Sequence, residues 1–154
     1  MLKPAQQRKV LTDCVPHLQT NPDSLNMFVD SGRIVSTLAA SLSFEDQYQL
    51  SLVITDYPGN VDLLIVPILA WLRENQPDIM ATEEKRRTDF THEVDIISDT
   101  LIDISIKLQL TERVIVKQVD GGLHVDRVPE PPLPDDVSPP TQLYLSGQLI
   151  SEWL

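Results

Sequence analysis

Leu42-Ser43-Phe44-Glu45-Asp46-Gln47-Tyr48-Gln49-Leu50-Ser51-Leu52-Val53-Ile54 decides the fold class. Its even positions read Leu, Phe, Asp, Tyr, Leu, Leu, Ile, and its odd positions Ser, Glu, Gln, Gln, Ser, Val. Successive side chains of a strand point to opposite faces, so this pattern predicts a long strand with one dry and one wet side. Asp46 falls on the dry side, which predicts a bulge or an exposed strand end there.

Working outward, Phe90, His92, Val94 and Ile96 alternate with Thr91, Glu93 and Asp95. Ile102, Ile104, Ile106, Leu108 and Leu110 alternate with Asp103, Ser105, Lys107, Gln109 and Thr111. Ser98-Asp99-Thr100 between them reads as a hairpin turn. Val114–Val119 and Leu123–Val128 flank Asp120-Gly121-Gly122 and predict a second hairpin. Upstream, Phe28-Val29 and Ile34-Val35 flank Asp30-Ser31-Gly32-Arg33, a further turn signal.

Two segments carry helical spacing instead. Val10, Leu11, Cys14, Val15 and Leu18 lie on one helix face, with Pro4 tolerable in the first turn and Pro16 set to bend or end the helix. From Asn60, a capping residue, to Asn75 the chain is apolar nearly all round, with Pro67 inside. Such a helix needs cover on more than one side: a sheet for one, a second subunit for the other. The polar stretch Asp78–Asp89 reads as a loop. Helix, strands, helix, strands with short turns predicts an α+β domain, a mainly antiparallel sheet with two helices on one face.

The 154 residues suit one domain able to bury a core without metals or disulfides. Six of the 12 prolines fall between Pro129 and Pro140. This predicts a domain over residues 1–128, a Pro-rich linker over 129–140 and a short apolar tail over 141–154. The tail holds Leu143, Leu145, Leu149, Ile150, Trp153 and Leu154, which dock either on a partner or on the chain's own domain. A net charge of −11 argues against a non-specific nucleic-acid binder, since neutralising phosphates needs a basic face. The most apolar stretch, Val61–Leu72, is interrupted by Asp62 and Pro67 and is shorter than the ~20 residues that span a bilayer. The start lacks an apolar signal core, so the chain is expected to be cytosolic when made.

The search for chemistry finds little. One cysteine, Cys14, excludes an internal disulfide and a Cys-based zinc site. Phosphate-binding glycine loops, His-Glu-x-x-His and Gly-x-Ser-x-Gly are all missing. Cys14 and His17 are three apart and conceivable as a nucleophile pair, but a buried structural cysteine is the ordinary reading. His92 reads as a core histidine on the dry side of its strand. Asp95, Asp99 and Asp103 straddle two strands and a turn, so they would fan apart rather than chelate. No catalytic, cofactor or metal residue is assigned.

Several runs then stand out together: Leu11–Pro16, Phe28–Val35, Ser43-Phe44-Glu45, Val53–Asp56, Trp71–Met80 and Leu108–Val114. In this order they resemble the tail completion protein R family of P2-like contractile-tailed phages, over about residues 1–128, with Trp71–Met80 the most specific piece. The resemblance implies a non-enzymatic virion protein that completes the tail and enables stable head–tail joining. Its expected partners are tail tube proteins, head connector proteins or both. It would be made in the host bacterial cytoplasm and end at the head-proximal end of the tail. By looser analogy of fold with phage tail terminator proteins, a homo-oligomeric ring on the tail end follows, a hexamer in that analogy.

Candidate contact residues follow from the sequence. Lys85-Arg86-Arg87, three adjacent cations in an acidic chain, read either as a solvated run or as an interaction loop. Trp71 is expected to be the buried part of an interface, with Arg73 or Glu74 its rim. Trp153 in the tail is a further contact candidate. The rivals are a small α+β hydrolase or isomerase, and a regulatory module gripping proteins through Lys85-Arg86-Arg87 and Trp153.

Overall fold

Lys3, Gln7, Leu11 and Cys14 fall at three- and four-residue steps, and in the computed structural model they form the buried side of helix α1, Lys3–Cys14. The structure describes residues 1–131, 134 and 138–153. Pro16 ends α1 and opens a short helix α2, Pro16–Thr20. Strands β1, Leu25–Val35, and β2, Phe44–Tyr57, follow. Helix α3 spans Asp62–Asn75 and helix α4 Glu83–Thr88. Strands β3, Phe90–Ile96, β4, Ile102–Val119, and β5, Gly122–Val128, complete the main sheet. A separate hairpin joins β6, Gln142–Leu145, to β7, Gln148–Glu152.

The expected α+β class and antiparallel sheet are what the chain forms. The sheet order is β1-β2-β4-β3, with β5 also paired to β4. β4 is long enough for β3 and β5 to share one of its edges end to end. β3 pairs with Ile102–Leu108, and β5 with Arg113–Val119. Arg113 and Val114 have β2 on one side and β5 on the other, which places β5 on the β3 edge. The even positions of β2 and β4 supply Leu50, Leu52, Ile54, Ile104, Ile106 and Leu108 to the core, each no more than 1% exposed. Leu11, Cys14, Val15, Leu18, Leu64, Ile68, Trp71 and Leu72 cover them from α1, α2 and α3. Packing this way satisfies the alternation of the strands and the helical stripes at once.

Four local expectations need correction. The turn expected at Asp30–Arg33 is not a turn: β1 continues through it, and its register with β2 shifts between Asp30 and Arg33. β2 is long enough to pair with both halves, so the turn residues become a bulge, with Ser31 at φ 58°. The stretch Asp78–Asp89 is largely helical rather than a loop, with a 3-10 turn over Pro77–Met80 before α4. The Thr82 hydroxyl accepts from the Lys85 N–H at 3.1 Å, a helix cap. Glu83 and Glu84 in the first turn, with the cations in the last, suit the helix dipole. His92 is on the expected side of β3, opposite Ile106, but exposed, because it lies on an edge strand. Asp46 marks neither a bulge nor an exposed end; it is 5% exposed and ion-paired.

The Pro-rich segment lies partly outside the described residues, as does Leu154 of the tail. Within the described part, the tail folds as the β6–β7 hairpin. Leu143 is buried, and Trp153 packs partly buried against the core. The tail therefore docks on its own domain.

Candidate interaction surfaces

Three segments build one groove of about 270 Å³: α1 through Val10 and Cys14, α3 through Pro67, Trp71 and Glu74, and the C-terminal hairpin through Leu143 and Trp153. The helical step from Pro67 to Trp71 to Glu74 turns all three toward α1. Trp153 is held because its N–H donates to the Thr141 carbonyl at 2.8 Å, closing the hairpin. Lys9 and Asp13, paired at 2.6 Å, also line this groove with Glu74. The floor is apolar and the lip charged, a form suited to an apolar side chain with a polar collar.

The structure therefore brings Trp71, Glu74 and Trp153 together. It does not bring Lys85, Arg86 and Arg87 to them. Trp71 is 7% exposed, spent inside its own fold, while Val66 and Leu69 on the same helix stand 49% and 42% exposed. The free apolar surface of α3 is thus displaced from Trp71 to these two residues, and Arg73 is exposed beside them. On α4 each cation has a partner within the chain. Lys85 Nζ pairs with Asp78 at 3.2 Å and Arg87 with Glu83 at 2.6 Å. Arg86 Nε donates to the Met80 carbonyl at 3.0 Å. Burial would raise the Asp78 carboxyl, but hydrogen bonds from Gln76 and Lys85 outweigh it and hold the group below its usual value.

A buried polar cluster escaped the sequence reading. Tyr48 donates its hydroxyl to Glu112 at 2.5 Å, and the N–H of Leu2 donates to the other Glu112 oxygen at 2.8 Å. Arg127 Nη2 donates to Asp46 at 3.1 Å, and its Nη1 lies 3.6 Å from Glu112, an ion pair but too long for a good hydrogen bond. Burial first, then the Glu112 hydrogen bond and charge, pushes the Tyr48 phenol far up. The signal was present: Asp46 and Glu112 both sit at even, dry-side positions, opposite one another in the register. Two acids at one row of a dry face call for a cation, and Arg127 supplies it from β5.

Burial, then the neighbouring Asp13, pushes the Cys14 thiol up to about 11, the wrong direction for a nucleophile. His17 meets Tyr57 edge-on with ring centres 5.7 Å apart. Among the described residues, no group of three His, Cys, Asp or Glu could hold a metal ion, and no helix is long and apolar enough to cross a membrane.

Comparison with known proteins places these surfaces in context. The family described as "P2 phage tail completion protein R (GpR)" matches residues 1–131. "Tail completion protein R" of Escherichia phage P2 is 58% identical over 153 residues, covering 99% of this chain and 99% of that one. The similarity thus continues through the C-terminal hairpin, beyond the 128 residues over which the resemblance was read. No solved structure matches. On that match and that identity, the chain belongs to the P2 phage tail completion protein R family.

Proposed function

We propose that this chain is a structural virion protein that completes the phage tail at its head-proximal end and enables stable head–tail joining. The observation that carries the reading is the identity of 58% with Tail completion protein R of Escherichia phage P2 across 99% of both chains. Its partners are tail tube proteins, head connector proteins or both. It acts as a homo-oligomeric ring, a hexamer by analogy with tail terminators, assembled in the host cytoplasm. The chain works by contact and not by turnover. An inert thiol at Cys14 and three histidines on separate elements support that reading. The candidate contacts are Val66 and Leu69 with Arg73 and Glu74 around them, the groove at Trp71 and Trp153, and the cations Lys85, Arg86 and Arg87.

Electron microscopy of lysates from a phage lacking this chain is the test. The expected result is full heads beside tails that fail to join and whose head-proximal ends are unfinished. Joined, infectious particles in its absence overturn the reading. Alanine at His17 or His92 should leave the yield of infectious particles unchanged. Loss in a variant that still folds and still binds tails would show chemistry where contact is proposed.

A further inference from the structure

The two ends of the main sheet differ in shape and in charge. At one end β4 outruns β2: Phe44 pairs with Val114, the Ser41 and Ser43 hydroxyls still meet the Val116 backbone, and from Lys117 on only β5 pairs with β4. The β4–β5 ribbon projects there. On its helix-side face Leu123 and Val125 are 60% and 61% exposed, opposite Gln118 and Val116. The ribbon Arg113–Val128 carries Arg113 and Lys117, both exposed, against Asp120 and Asp126, while its Arg127 is paired with Asp46 and Glu112, so it is balanced in charge within a chain of net charge −11.

At the other end, the β3–β4 turn borders a shallow hollow of about 630 Å³, lined by Tyr57, Ile96 and Ile102 and by the polar Ser98, Asp99 and Thr100 of the turn. Ile96 is 80% exposed and Ile97 54%. The segment from Phe90 to Asp103 holds Glu93, Asp95, Asp99 and Asp103 with no Lys or Arg. Asp95 and Asp103 face each other directly in the register, a like-charge pair that is unfavourable unless a cation approaches. Ile96 pairs with Ile102 and Leu123 with Gln118, so the two features lie sixteen β4 residues apart, roughly 50 Å along the strand.

A projecting ribbon with exposed Leu123, Val125, Arg113 and Lys117, and a hollow with exposed Ile96 and an acidic rim, lie at opposite ends of one sheet and complement each other. We infer that the occupant of the hollow is the β4–β5 ribbon of a second copy of this chain, in a head-to-tail contact repeated around the ring. Contacts of that kind are heterologous and close into rings when the rotation per subunit allows. The apolar pair Leu123 and Val125 meets Ile96, while Lys117 and Arg113 approach Asp95 and Asp99. This inference rests on the tail-end ring proposed above.

The test uses whole chains on assembled tails. Ile96→Cys and Val125→Cys are introduced separately and together, with buried Cys14 left in place. After mild oxidation the double variant should give a ladder of cross-linked multimers on tails, and each single variant none. Self-cross-linking of a single variant would indicate a symmetric contact and overturn the inference. Cross-linking of a single variant to a tail or head protein would assign the surface to that partner and overturn it too. Tails that carry several copies with no ladder overturn the contact alone, leaving the ring intact. Tails that carry only one copy overturn the ring and the contact with it. As a second arm, Leu123→Asp and Ile96→Asp should each abolish assembly on tails while leaving circular dichroism and melting unchanged. Normal assembly by either folded variant also overturns the inference.

Discussion

Gln76 holds Thr111 at two points: its Oε1 accepts the Thr111 N–H at 3.1 Å and its Nε2 donates to the Thr111 Oγ1 at 3.0 Å. This fills the stretch of the β4 edge that neither β3 nor β5 covers. Lys3 completes the arrangement, donating to Gln76 Oε1 at 2.6 Å and to the Thr111 carbonyl at 2.7 Å. A side-chain amide thus stands in for a strand on a buried edge, where an unmet N–H would be costly. Gln76→Leu should therefore destabilise the chain by about 1–3 kcal/mol, the cost of stranding buried polar groups. Thermal melting reads this as a drop of several degrees. An unchanged midpoint would show that water replaces the amide without loss.

Glu112 is the hub of the buried cluster, accepting from Tyr48 and from Leu2 and facing Arg127. Removing one member of a buried ion pair typically costs about 3–5 kcal/mol. Glu112→Ala should fall at the low end of that range, because the Arg127 side chain is 24% exposed and partly hydrated. Tyr48→Phe removes one hydrogen bond and should cost about 1–2 kcal/mol. Urea unfolding of both variants checks the ranking, and Tyr48→Phe as damaging as Glu112→Ala would contradict it.

Cys14 sets an alkaline limit. Its folded thiol titrates at about 11, raised by burial, against an ordinary value of 9.0. A group whose folded value is raised contributes stability that is whole below the unfolded value and fades as pH rises through the folded one. Stability should therefore decline across about pH 9 to 11, and the decline should be smaller in Cys14→Ala. A thiol reagent at pH 8 should label Cys14 only in denaturant. Rapid labelling of the native protein would contradict the burial argument.

Trp153 ties the C-terminal hairpin to the body. Trp153→Ala should cost about 1–3 kcal/mol, less than a fully buried tryptophan because the site is only partly covered. Melting should stay a single transition at a lower temperature. A separate early transition would mean that β6 and β7 open independently.

Charge reversal at Lys85, Arg86 and Arg87 separates two roles of α4. Exposed pairs such as Arg87 with Glu83 are worth only about 0.3–0.5 kcal/mol each, so melting should change little. If α4 contacts the tail, assembly should slow more at low salt than at high salt. Equal assembly at low salt would leave these cations to their internal partners.

Much of the chain was legible from local pattern. The thirteen-residue alternation from Leu42 marked β2, and the helical stripe at Leu11, Cys14 and Leu18 marked the first helices. Helix α4 was legible too, in Thr82 and the ordered charges after it, but a polar run with no apolar stripe reads as a loop. The bulge at Ser31 and Gly32 was not legible, because a turn and a bulge use the same residues and only the length of the partner strand tells them apart.

The sequence by itself determined the class of fold, the dry side of β2 and β4 and the family, since these depend on residue order and period alone. The tertiary structure decided which residues are free to act. Trp71 looked like an interface anchor and is consumed by the core, because α1 and the C-terminal hairpin close over it. Asp46 looked like a flaw in a dry face, and Arg127, from a strand distant in sequence, neutralises it together with the facing Glu112. Exposure and charge pairing depend on contacts between distant segments, and no local period encodes those.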